Sequence, residues 1–185
     1  MDKFDLFSPL DYRYVDGSLR KRAELFFSEN ARISYQAKVE AALVKALAKQ
    51  RVCSPKIAKE VEKAARLVKA SAVYEEEARI KHDIRALVNV LRSKVSKEAK
   101  PFIHFSATSY DIVDTASALR YKEAVLELVL PELRLLLRQW IKIAEREKNT
   151  LMIGRTHGQH AEPITFGFAM SSYINRLGRA MSSME

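Results

Sequence analysis

Residues 111–147 read DIVDTASALRYKEAVLELVLPELRLLLRQWIKIAERE, and their apolar spacing sets the architecture. Ile112, Ala116, Leu119, Val125, Leu128, Leu135, Leu136, Ile141 and Ile143 recur at helical steps, which predicts one very long helix from about Asp111 to Glu147. Its apolar positions cover more of the circumference than a helix with one face in water can use, so it calls for partner helices in a bundle. Pro131 removes one backbone donor and is expected to kink the helix.

Upstream, the stretch from about Leu19 to Gln50 predicts an amphipathic helix broken near Ser28, with Ile33, Ala37, Leu43, Val44 and Leu47 on its apolar face. Ser54 and Pro55 suit an N-cap and first helical position, after which Ile57, Val61, Ala64 and Val68 line a short helix. Ser71 is expected to cap another helix running to about Lys94, with Glu75–Arg79 and Glu77–Lys81 as favourable i,i+4 pairs. The stretch Ser96–Ser106, containing Lys100 and Pro101, interrupts the periodicity and places a domain boundary just after it. The expected organisation is an N-terminal helical domain, residues 1–108, followed by the first part of a central helical bundle, residues 109–185. Downstream, a Gly-containing loop from Met152 to Glu162 precedes Pro163, after which Ile164, Phe168, Met170, Tyr173, Ile174 and Leu177 start a further helix. The chain stops at Glu185 in helical composition with no capping signal, so a continuation is expected. With no repeat, no low-complexity segment and no βαβ alternation, the fold class is all-α.

The 185 residues are 48% hydrophobic and 30% charged with 5 Gly and 5 Pro, which suits a helix-rich globular chain rather than a disordered or fibrous one. Lys and Arg outnumber Asp and Glu by 32 to 23, a net charge of +9 that fits acidic ligands. Nucleic acid is a poor partner, because lysines alternate with glutamates at helical spacing, as in Lys38, Glu40 and Lys45, and no aromatics interleave with basic residues. No apolar run is long enough to span a bilayer, and the opening MDKFDLFSPLDYRY has no basic start followed by an apolar stretch as an export signal would. The single cysteine, Cys53, has no disulfide partner within the chain and points to a reducing, cytoplasmic setting.

The four histidines, His82, His104, His157 and His160, each lie in a short polar segment at or near a break in periodicity. For each one alone a packing or surface role competes with a chemical one; the segments taken together carry the chemistry. Arg79-Ile80-Lys81-His82-Asp83 offers a cation for an anion and a carboxylate to tune the imidazole. His104-Phe105-Ser106-Ala107-Thr108-Ser109-Tyr110-Asp111 precedes the long helix, where Thr108 and Ser109 can cap it or cradle a carboxylate or phosphate on the free N–H groups. Gly154-Arg155-Thr156-His157-Gly158-Gln159-His160 places several donors in one loop, with glycines for close backbone approach. A metal held by His157 and His160 lacks further ligands, so a general acid is the more natural role for this loop. Neither a G-x-S-x-G elbow nor a partner for Cys53 supports a nucleophilic triad.

In this order, K-H-D, H-F-S-A-T-S-Y-D-I-V-D-T-A and G-R-T-H-G-Q-H-A-E-P-I-T-F-G resemble the adenylosuccinate lyase family of the fumarase and aspartase superfamily, and the opening S-P-L-D-Y-R-Y resembles that family's start. The third motif is shared across the superfamily; K-H-D and the histidine four residues before T-S narrow the resemblance. Argininosuccinate lyases and fumarases would show S-R-N-D-Q and S-S-N-D types in place of T-S-Y-D, whereas a carboxymuconate cycloisomerase shares T-S-x-D and G-R-T-H-G.

The resemblance implies a fumarase- and aspartase-like fold, no metal or redox cofactor, and β-elimination of fumarate from succinylated purine nucleotides. It implies that Arg13 and Tyr14 contact the nucleotide end of the substrate, with Lys81, His82 and Asp83 in the same pocket. Thr108 and Ser109 would bind a substrate carboxylate, and His104 would stand beside the pocket, where it could bind the phosphate. His157 would be the general acid that protonates the departing nitrogen, while His160 falls where the family tolerates other residues. The base would be a serine on a loop far downstream of these residues, and the assembly a homotetramer whose active sites draw on three subunits. The alternatives are the cycloisomerase or another superfamily lyase, and a non-catalytic helical oligomerisation fragment.

Overall fold

The computed structural model of the chain describes residues 5, 8 and 17–185. The sequence from Gly17 builds α1 (Gly17–Phe27) and α2 (Glu29–Lys49), divided at Ser28 as its composition predicts. The Ser28 hydroxyl donates to the Glu24 carbonyl at 2.7 Å and accepts from the Ala31 N–H at 3.1 Å, so one side chain closes α1 and caps α2. Ser54 caps α3 (Pro55–Ala65) by accepting from the Ile57 N–H, with Pro55 at the first helical position as expected. The apolar faces of these helices converge on α4 (Ala70–Ile80) and α5 (Asp83–Ser93), and Ile33, Val44, Val61, Val73, Leu87 and Leu91 form their shared core.

Two details differ from the sequence reading. Ser71 is not the cap of α4: the helix starts at Ala70, whose N–H is taken at 3.3 Å by the Asn30 side-chain carbonyl, a donor satisfied across the fold rather than along the chain. The helix expected to reach Lys94 stops at Ile80, because Lys81 adopts the left-handed conformation, φ 58°, and His82 restarts the chain as the extended cap of α5. Apolar periodicity continues through this joint and gives no sign of it. Arg79 pairs with Glu76 at 2.7 Å, rather than with Glu75, and Glu76 also accepts from Asn89 at 2.6 Å, which ties α4 to α5.

The long helical stretch is α6 (Ser109–Ala124), a π turn at Val125–Val129, and α7 (Leu130–Arg146). The irregularity expected of Pro131 falls in the turn before it, where the Leu130 N–H reaches the Val125 carbonyl five residues back. A wider turn relieves the pressure of the proline ring on the preceding carbonyls and takes up the missing donor. The chain forms two compact units, the first ending at Glu123 and the second running from Ala124 to Glu185. Most of α6 packs with the first unit: Ile112 is 2% exposed in its core, and Glu123 accepts from the Tyr35 hydroxyl at 2.6 Å and from Lys38 at 3.1 Å.

In the second unit Met152–Glu162 is not the loop expected but the greater part of a hairpin. Strands β1 (Leu151–Thr156) and β2 (Gln159–Thr165) pair antiparallel from Leu151↔Thr165 to Thr156↔Gln159, with a bulge between Ile153 and Arg155. Period-two alternation is absent from the segment, which is why the strands were not legible. Pro163 lies in β2 rather than at a helix start, a place open to proline because a two-stranded ribbon has only edge strands. Thr165 caps α8 (Phe166–Met184), accepting from the Phe168 N–H at 3.1 Å. A Cβ on Gly167 would stand 2.5 Å from the Ala144 carbonyl oxygen and 2.7 Å from the Lys148 Cα, so α8 starts in backbone contact with the end of α7. Trp140 and Tyr173 meet edge to face farther along the two helices, ring centroids 6.3 Å apart. No helix among the described residues is long and apolar enough to cross a membrane. The described residues are all-α apart from this one ribbon.

Gly167→Ala should lower stability by about 1–3 kcal/mol, since backbone on both sides cannot yield. Gly178→Ala, where a Cβ meets nothing within 4 Å, should instead raise it, by about 0.4–1 kcal/mol. Urea unfolding followed by circular dichroism checks the pair; a Gly167→Ala midpoint equal to that of the parent would refute the close packing of α7 and α8.

Candidate functional site

Among the described residues, five that are not glycine have positive φ, namely Arg51, Lys81, His104, Ser106 and His157. All but Arg51 fall within the three segments singled out from the sequence. Left-handed backbone disfavours side chains with a Cβ and persists only where surrounding structure demands it, so its concentration here marks these segments as specialised.

In the first segment, exposed Lys81 ends α4 and exposed His82 caps α5. The His82 ring accepts the Arg85 N–H at Nδ1, 3.3 Å away, so Nδ1 carries a lone pair and the proton of the neutral ring sits on Nε2. Asp83 lies 3.5 Å from the same nitrogen, and its carboxylate accepts the Ile84 N–H at 2.7 Å. The pairing expected between His82 and Asp83 is thus a helix start in which both side chains accept backbone donors.

In the second segment, Thr108 and Ser109 do stand at the start of α6, but the cradle is partly filled. Asp111 turns back to accept the Thr108 N–H at 2.8 Å, a capping-box arrangement that removes one donor from any incoming anion. His104 is the better organised residue. Glu40, on α2, is completely buried and holds it twice: Oε2 accepts the His104 backbone N–H at 3.0 Å, and Oε1 lies 2.6 Å from Nδ1. Burial drives the Glu40 carboxyl above its ordinary range, opposed by the His104 ring and, at longer reach, by Arg92. Arg92 donates to the Lys100 and Ile103 carbonyls at 3.2 Å each and so pins the loop that carries His104.

The third segment is the tip of the hairpin. His157 (φ 50°) and Gly158 (φ 73°) are its two turn residues, and positive φ at both is the type I′ pattern that matches strand twist. His157 is therefore exposed at the apex, and no hydrogen bond to its ring occurs among the described residues. His160 sits opposite Arg155 in the ladder, and a Cβ on Gly154 would come 2.9 Å from the Glu162 carbonyl, the close backbone approach that its sequence context suggested.

Within the first unit the segments stand at opposite ends of α5, because Asp83 begins it and Arg92, which holds the His104 loop, lies nine residues on, about 14 Å along the axis. His157 belongs to the second unit. Arg13 and Tyr14 lie outside the described residues. Among the described residues no group of three or more His, Cys, Asp or Glu side chains is placed to hold a metal ion. Sequence reading missed Glu40 and Arg92, and met Glu40 only as one of the glutamates interspersed with lysines. A signal was present: Glu40 shares a helical face with Gln36, Ala37 and Val44, all buried, and a lone carboxylate on such a face requires a partner.

Residues 18–185 match the model of the lyase family, and the chain belongs to that family. It is 37% identical over 179 residues to an adenylosuccinate lyase of Methanocaldococcus jannaschii, covering 96% of this chain and 38% of that protein. It is 41% identical over 175 residues to an adenylosuccinate lyase of Pyrococcus horikoshii, covering 92% of this chain and 37% of the relative. Among solved structures, the 3-carboxy-cis,cis-muconate lactonizing enzyme from Pseudomonas putida superposes with a TM-score of 0.81 at 26% identity, over 95% of this chain and 40% of that one. The chain thus spans less than half the length of these proteins.

Because a Cβ on Gly158 meets no neighbour, Gly158→Ala tests the turn conformation alone. It should cost about 1–2 kcal/mol and raise amide exchange across β1 and β2 by roughly 5- to 30-fold. Unchanged exchange in the ribbon would show that the turn is not held with both residues left-handed.

Proposed function

We propose that this chain forms the N-terminal part of an adenylosuccinate lyase, which releases fumarate from adenylosuccinate to give AMP and from succinylaminoimidazole carboxamide ribotide to give AICAR. The observation that carries the reading is His157, held by a type I′ turn with its ring uncommitted among the described residues, in a chain 37% and 41% identical to two adenylosuccinate lyases.

The elimination breaks a C–H bond next to a carboxylate and the neighbouring C–N bond, and forms the C=C bond of fumarate. The electron pair of the C–H bond becomes the double bond, and that of the C–N bond leaves with nitrogen. Nitrogen is a poor leaving group unless it receives a proton, and His157 supplies it as general acid. The proton on carbon goes to a base, a serine from a part of the enzyme beyond these residues. Lys81 offers an exposed cation to the anionic substrate, with His82 and Asp83 in the same pocket and Arg13 and Tyr14 at its nucleotide end. Thr108 and Ser109 take a carboxylate, Asp111 giving way at the Thr108 N–H, and His104 takes the phosphate. Within the first unit the Lys81 and His104 segments stand at opposite ends of α5, which accords with a homotetramer whose sites are assembled from several subunits. In that assembly the bundle domain begins near residue 109, after an N-terminal helical domain, and the enzyme works in the cytoplasm without a metal or redox cofactor.

In the full-length enzyme, His157→Gln should cut kcat by at least on the order of a hundredfold while KM stays within a few-fold. Lys81→Ala should chiefly raise KM. Steady-state assay of fumarate release from adenylosuccinate, with a carboxymuconate in parallel, checks both. Turnover of the muconate alone would transfer the chain to the cycloisomerases, and a His157→Gln variant with near-parental kcat would remove the general-acid role.

A further inference from the structure

We propose that Glu40 is a positioning residue for His104: its buried carboxylate takes the ring Nδ1–H and the backbone N–H of the same residue, leaving Nε2 on the open side as the donor to an anionic group of the substrate. The substrate contact rests on the function proposed above; the clamp itself does not.

Tying down a loop does not require a charge. A neutral amide could accept the His104 N–H at 3.0 Å, yet the group present is a carboxylate with no exposed surface, the costliest choice at a dry position. Its second oxygen explains the choice, since it lies 2.6 Å from Nδ1, short enough for a charge-assisted hydrogen bond. His104 is left-handed, φ 62°, and a single acceptor group grips both its backbone and its ring, so neither can relax without breaking a bond to a buried charge. The side chain is 18% exposed, and no hydrogen bond to Nε2 occurs among the described residues. With one proton between Glu40 and Nδ1 and a second on Nε2, the pair is neutral overall and presents an N–H outward. An arriving phosphate accepts from that outward N–H.

Glu40→Gln tests this at nearly constant shape. The amide oxygen must face the backbone N–H, since an NH2 there would oppose donor to donor. Its NH2 then faces Nδ1, which moves the ring proton to Nε2 and disfavours the charged ring. In 15N-labelled chain, two-bond ring spectra should show a protonated Nδ1 on His104, assigned by its loss in His104→Gln, and a bare Nδ1 in Glu40→Gln with the helical circular dichroism unchanged. A bare Nδ1 in the parent, or identical ring patterns in parent and Glu40→Gln, would overturn the clamp. In the full-length enzyme, Glu40→Gln should raise KM about tenfold, the loss of a charge-assisted contact, with kcat within about threefold. In a His104→Gln background the same change should add nothing further. Additive effects on KM would overturn action through His104. If the parent enzyme releases no fumarate, the proposed function and the substrate contact fall together, while the ring spectra still decide the clamp.

Discussion

A carboxyl group stripped of water must find hydrogen-bond partners, and Glu40 finds two of them in one residue 64 positions away. Much of the first unit's functional geometry hangs on that requirement. The loop between α5 and α6 is pulled onto α2, Ile103 is driven into the core beside it, and His104 is held left-handed. Arg92 secures the same loop from α5 through two carbonyls. The helices thus do more than bury apolar surface, since the one acid buried among the described residues sets the backbone of the His104 segment.

The same economy recurs in the other segments. Lys81 and His157 are left-handed without being glycine, and each stands where one regular element must give way at once to the next. At Lys81 the reversal lets His82 use its own ring to cap α5. At His157 it closes the shortest antiparallel connection and lifts an imidazole to the apex. Backbone strain and chemical side chain coincide because a tight reversal projects its side chain away from the packed elements.

The second unit is organised by a contact of another kind. Gly167 lets backbone touch backbone where α8 begins, and the Phe166 and Gly167 N–H groups are taken by the Thr150 and Glu147 carbonyls at 2.9 and 3.0 Å. Those bonds satisfy the first donors of α8 and the last acceptors near the end of α7 together, and they fix both ends of the hairpin.

Sequence by itself determined the all-α class, the helix starts at Ser28 and Ser54-Pro55, the interruption before α6, and the three polar segments. Each of these is written in residues within a turn of one another: a hydroxyl three positions before the donor it accepts, a proline at a first turn, an apolar period. Tertiary structure alone decided that Asn30 rather than Ser71 caps α4, that Lys81 divides a continuous periodic stretch, and that α6 lends its apolar side to the first unit. It also made a hairpin of the presumed loop and set Glu40 behind His104. Those outcomes depend on partners tens of residues away, and a donor, a buried charge or a left-handed turn is satisfied by whatever the fold brings to it. Local composition names the groups that need partners; only the packed chain assigns them.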